Sequence, residues 1–113
     1  MSLYKAGKMQ YRFFGNSGLS TSIISLGNMV NSRQETYKDD EELIKTALQN
    51  GINHFDTAEV YHFGKAETQL GNILKNLNVG REEVIIATKI RVSPNPDINS
   101  NMLINRKHIR EGL

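Results

Sequence analysis

The sequence predicts an α/β chain that forms the first part of a (β/α)8 TIM barrel: an N-terminal β-hairpin, three βα strands and two full helices. Three observations predict it. Strand-like and helix-like runs alternate after the hairpin, which calls for parallel strands joined by crossover helices. The first such strand is followed by Gly27-Asn28-Met29-Val30-Asn31-Ser32, with one glycine where a dinucleotide-binding open sheet would need Gly-x-Gly-x-x-Gly. Residues able to do chemistry stand at the C-terminal ends of strands, where barrels build their sites. With 113 residues against the ~250 of a typical barrel, the barrel is partial.

Residues 1–8 are expected to be a flexible lead-in and residues 9–113 the barrel portion. Residues 9–14 and 20–26 are strand-like, and the turn residues Gly15-Asn16-Ser17-Gly18 between them signal a hairpin. The second run continues through Gly27 as a buried strand. Residues 31–38 read as a loop. Asp39 is a suitable N-cap with Glu42 three residues on, and Leu43, Ile44, Ala47 and Leu48 form one apolar stripe. Gly51 can take the left-handed conformation that ends this helix. Residues 52–57 form the next strand.

A second helix is predicted over residues 65–77, with Ala66, Leu70, Ile73, Leu74 and Leu77 on one face. Residues 84–90, Val-Ile-Ile-Ala-Thr-Lys-Ile, are the clearest strand. Residues 93–97 are a Pro-rich loop, and Asn105 caps a third helix. The basic cluster Arg106-Lys107-His108 with Arg110 reads as that helix's solvated face.

Composition excludes several classes of function. A net charge of +2 gives no electrostatic case for nucleic acid. Without cysteine there is neither a disulfide framework nor a thiolate metal site, and the three histidines lack ligand spacing, so no metal is expected. No apolar run approaches the ~18 residues of a membrane span, and the N-terminus lacks a signal peptide's apolar core. A cytoplasmic protein without membrane insertion is expected.

The candidate site follows from strand alternation. Phe55 faces the helices and Asp56 faces inward. Ile85, Ala87 and Lys89 share one face, and Val84, Ile86 and Thr88 the other. Asp56 and Lys89 stand at the ends of neighbouring strands and would pair, since either charge alone is costly to bury. Such a pair serves either to fix strand register or to do chemistry. Tyr61 lies in the loop five residues after Asp56. An ammonium close to a phenol lowers the phenol pKa from its usual ~10, and such a tyrosine can exchange a proton with a carbonyl or alcohol oxygen.

These residues also carry a resemblance. Phe55-Asp56-Thr57-Ala58-Glu59-Val60-Tyr61, then Gly64-Lys65-Ala66-Glu67 and Leu70-Gly71, resemble the aldo-keto reductase signature. Thr88-Lys89, with Lys89 28 residues after Tyr61, is similar to the family's Thr-Lys. The opening Met9-x-Tyr11-Arg12, Gly15-x-Ser17-Gly18-Leu19 and Ser25-Leu26-Gly27 resemble its hairpin and first strand. Arg106-Lys107-His108-Ile109 and Glu111-Gly112-Leu113 resemble the members that serve as β-subunits of voltage-gated potassium channels.

The resemblance implies an NADPH-dependent oxidoreductase that reduces aldehydes or ketones. In it Tyr61 exchanges the proton, Lys89 lowers the tyrosine's pKa, and Asp56 holds Lys89 and touches the nicotinamide ribose. Gln34, Asn28 and Met29 would lie near the cofactor. The channel β-subunits usually have Thr-Trp where this chain has Asn28-Met29, and Met is a poorer aromatic platform than Trp. The family's remaining catalytic position and the residues that grip the cofactor phosphates lie further along its barrel. The 113 residues alone are therefore expected to be inactive. Two other roles are a channel-binding regulatory subunit, with a potassium channel α-subunit as partner, and a truncated relative with no function of its own. Oligomers are compatible with each.

Overall fold

The computed structural model describes residues 7–29, 37–91 and 104–112. The chain opens with a hairpin of β1 (Tyr11–Phe13) and β2 (Ser20–Ser22), paired antiparallel with Arg12 opposite Thr21. Its turn uses left-handed Gly15 and Gly18, at φ 55 and 76. Then follow β3 (Leu26–Gly27), α1 (Tyr37–Gln49), β4 (His54–Asp56), α2 (Lys65–Asn76), β5 (Ile85–Ala87) and α3 (Arg106–Glu111). Strands β3, β4 and β5 lie side by side in that order. Both pairings are parallel, with Leu26 opposite Phe55 and Phe55 opposite Ile86. This is the expected βα order, with parallel strands joined by crossover helices.

The predicted strand from residue 20 through 27 is broken in two. Strand β2 must pair antiparallel with β1 and β3 parallel with β4, so the chain has to change partner between them. It does so in a bend at Ile23 and Ile24, where the Ser22 hydroxyl donates to the Ile24 carbonyl at 2.6 Å. The two isoleucines are 53% and 56% exposed instead of buried.

Helix α1 begins at Tyr37, so Asp39 lies in the first turn beside Asp40 and does not cap it. Carboxylates favour both positions for the same reason, the positive end of the helix dipole. The cap itself falls outside the described residues. Of the expected stripe, Ile44, Ala47 and Leu48 are buried, while Leu43 is 39% exposed. Asp40 takes the inward position instead: it is buried and accepts a hydrogen bond from Gln69 of α2.

Gly51 ends the helix region as expected, at φ 86. A Cβ there would meet the Tyr11 hydroxyl at 2.7 Å and Met9 Cβ at 2.8 Å. The same hydroxyl donates to the Gly51 carbonyl at 2.7 Å, which ties the hairpin to the turn before β4. Helix α2 buries Ala66, Leu70, Ile73 and Leu74. Leu70, Ile73 and Leu74 pack with Ile44, Leu48, Phe55 and Val84 into one core between the helices and a single face of the sheet. Phe55 is wholly buried there.

Candidate active site

The parallel pairing continues past the formal strand ends. Thr57 N–H donates to the Ala87 carbonyl at 2.8 Å, and Glu59 N–H to the Lys89 carbonyl at 3.1 Å. The two extensions therefore run together at the C-terminal edge of the sheet, with their side chains still alternating. Thr88 points to the helix layer and its hydroxyl donates to Glu67 of α2. Lys89 points the other way, to the same side as Asp56.

There the Lys89 ammonium donates to Asp56 Oδ1 at 2.6 Å and to the Thr57 carbonyl at 2.7 Å. The Tyr61 hydroxyl lies 3.5 Å from it, at the outer limit of a hydrogen bond. The ammonium also sits 5.1 Å from the centre of the Tyr61 ring, within range of a cation–π attraction. The three predicted catalytic residues thus come together. The Asp56 hydrogen bond is the largest influence holding the Lys89 ammonium above the usual lysine range. Desolvation opposes it, and Tyr61 adds to it. The Lys89 and Asp56 side chains are 49% and 39% exposed, so the pair stands at an open mouth and not in a sealed core.

Tyr61 opens a short 3-10 turn, Tyr61–Gly64, that leads into α2. Its N–H donates to the Ala58 carbonyl at 3.0 Å. The next two residues, His62 and Phe63, are left-handed at φ 48 and 56. A left-handed L-residue costs roughly 1–2 kcal/mol, so the loop that presents Tyr61 is strained.

Of the predicted cofactor residues, Asn28 adjoins Asp56, its backbone N–H donating to the Asp56 carbonyl at 3.1 Å. Asn28 is buried, its side-chain N–H donating to the Ala66 carbonyl at 3.3 Å, so its amide faces the start of α2. Its Oδ1 has no partner among the described residues. Met29 is 64% exposed, and Gln34 lies outside the described residues.

A further sequence reading is overturned here. His108 is not on a solvated face: it is 3% exposed, and its Nε2 donates to the Glu59 carboxylate at 2.9 and 3.0 Å. Glu59 and His108 are 49 residues apart, so no local periodicity links them. A polar helix face reads as solvated unless a distant partner is known. The expected cap does form, with Asn105 Oδ1 accepting from His108 N–H at 3.0 Å. Among the described residues no cluster of three histidine or carboxylate side chains could hold a metal, and no helix is long and apolar enough to cross a membrane.

A parallel βα sheet with a Tyr, a Lys and an Asp gathered at its C-terminal edge defines the chain's class. The profile described as "Aldo/keto reductase family" matches residues 23–113. The chain belongs to that family of oxidoreductases, as the N-terminal portion of its fold. The proteins it resembles carry two kinds of name. It is 37% identical over 112 residues to a protein of Schizosaccharomyces pombe that bears the name of a voltage-gated potassium channel subunit beta. That match covers 97% of this chain and 33% of the relative. A Pseudomonas aeruginosa structure titled an aldo-keto reductase matches at 29% identity and TM-score 0.71, over 89% of this chain and 38% of that one. The holo form of a Bacillus halodurans aldo-keto reductase matches at 32% identity and TM-score 0.63, over 79% and 29%. The chain thus spans about a third of the length of the S. pombe relative.

Proposed function

We propose that these residues supply the proton-transfer half of an NADPH-dependent carbonyl reductase. The observation that carries the reading is the Lys89 ammonium, 2.6 Å from Asp56 Oδ1 and 3.5 Å from the Tyr61 hydroxyl. The residues suit the nicotinamide end of the cofactor. Asp56 offers an accepting carboxylate for a ribose hydroxyl, and Met29 offers an exposed apolar side chain one residue after Asn28, whose N–H donates to the Asp56 carbonyl. Asn28 spends its donor on Ala66. When bound, the cofactor supplies the hydride.

The rest falls to this chain. Tyr61 donates its hydroxyl proton to the carbonyl oxygen as negative charge develops there. The Lys89 ammonium, 3.5 Å from the Tyr61 oxygen, attracts the negative charge left behind, as opposite charges do at short range. Asp56 and the Thr57 carbonyl hold the ammonium in place and charged. These residues act with the phosphate-gripping groups that the family resemblance places further along the barrel. Positioning is worth ~7–11 kcal/mol of a barrier, so alone they reduce nothing.

The test compares the chain as it stands with the same residues fused to the remaining βα units of a relative. NADPH fluorescence reports binding, and absorbance reports reduction of a simple aldehyde. Turnover by the fusion alone is expected. An inactive fusion that binds NADPH would defeat the reading. The S. pombe relative supports a second reading, in which the same site holds its cofactor within a channel-binding subunit. Co-purification of the fusion with a potassium channel α-subunit tests that.

A further inference from the structure

We propose that Glu59 and His108 form a clamp that positions Tyr61 against Lys89. The inference rests on reading those two as the proton-transfer pair. Glu59 lies in the loop between Asp56 and Tyr61. Its N–H donates to the Lys89 carbonyl at 3.1 Å, and its carboxylate accepts from Arg91 N–H. One residue therefore ties the tyrosine's loop to the chain at Lys89 and two residues beyond it. The carboxylate also accepts from His108 Nε2 at 2.9 and 3.0 Å, which anchors the loop to α3.

Burial separates this pair from the site it serves. The His108 and Glu59 side chains are 3% and 12% exposed, whereas Lys89 and Asp56 are open to water. Hydrogen bonds screened by solvent hold geometry poorly, while a buried carboxylate is strongly committed to its donors. The imidazole donates from Nε2 in its neutral Nε2–H tautomer as well as when protonated, so the clamp does not require a charged histidine. The loop also needs an anchor. His62 and Phe63 hold left-handed conformations directly after Tyr61, and such strain persists only where surrounding contacts over-determine it. Glu59, with its three hydrogen-bonding directions, provides that over-determination. Both residues act through the backbone that carries Tyr61 and Lys89, so they are positioning residues.

The test uses NMR of the 113-residue chain with labelled lysine and tyrosine. The ammonium over the Tyr61 ring shifts the Lys89 ε-methylene upfield, and Tyr61→Leu identifies that shift by removing it. His108→Leu and Glu59→Leu are each expected to abolish the shift and the Lys89–Tyr61 cross-peaks. In His108→Gln, where an amide N–H still reaches Glu59, both are expected to persist. Loss in His108→Gln equal to that in His108→Leu would overturn the proposal, since volume rather than the hydrogen bond would then matter. So would retention of the shift in either leucine variant. Should one leucine variant fail to fold, the other decides, with the core amide spectrum as the control. None of these signals depends on turnover. An inactive fusion together with the expected shifts would remove the reductase reading and leave the clamp.

Discussion

Replacing Asp56 by Asn separates what the Lys89–Asp56 pair does for folding from what it does for chemistry. The ammonium lies 2.6 Å from the carboxylate, but the two side chains are 49% and 39% exposed. Pairs so open to water are worth about 0–1 kcal/mol, because screening and side-chain entropy offset most of the attraction. Asp56→Asn is therefore expected to lower the unfolding free energy at pH 7 by less than about 1 kcal/mol. The small difference should have a definite pH dependence. The Lys89 pKa is raised in the folded chain, first by the Asp56 hydrogen bond. A group raised in this way contributes stability that is fully present below its unfolded value, ~10.4 for lysine. That contribution is lost as pH rises through the folded value. The gap between wild type and Asp56→Asn should hold steady across neutral pH and close in the alkaline range above the ordinary lysine value. Urea unfolding followed by circular dichroism at a series of pH values measures it. A gap of ~3–5 kcal/mol, the size expected when a buried pair loses one partner, would refute the argument. So would a gap that stays open through the alkaline range.

Two further substitutions test how the chain around the site is built. Gly51→Ala puts a Cβ at φ 86, 2.7 Å from the Tyr11 hydroxyl and 2.8 Å from Met9 Cβ. It should cost more than ~1 kcal/mol and free the hairpin, seen as faster amide exchange in β1. Phe63→Gly removes a left-handed aromatic that is 82% exposed. With little burial to lose, the variant should gain up to about 1 kcal/mol in the same urea experiment, from the backbone cost that an L-residue bears there.

The parts of this fold that could be read from the sequence are those set by local pattern. Alternation placed Phe55 against the helices and Asp56 on the opposite, inward face. Helical spacing identified the buried face of α2, and Gly51 and Asn105 marked turns at which only their residue types fit well. Asp56, Tyr61 and Lys89 were legible because strand-end position and alternation together brought them to one edge. What escaped local reading was set by partners distant in sequence. Ile23 and Ile24 look like buried strand until β2 and β3 take different neighbours. Leu43 belongs to a helical stripe, yet Gln69 draws Asp40 inward instead. His108 sits in a basic run, but Glu59, 49 residues earlier, takes it into the interior.

The central claim is that Tyr61 gives the proton while Lys89 and Asp56 hold it ready. The most direct test is the single-turnover rate of aldehyde reduction by the completed barrel, with Tyr61→Phe beside wild type and NADPH affinity measured for both. Tyr61→Phe keeps the ring over the ammonium and removes only the hydroxyl. Positioned proton transfer contributes ~10²–10⁴-fold, so the rate should fall by at least about 10²-fold while NADPH affinity stays unchanged. A variant that reduces the aldehyde at the wild-type rate, or one whose loss of rate is matched by loss of NADPH binding, would contradict the account.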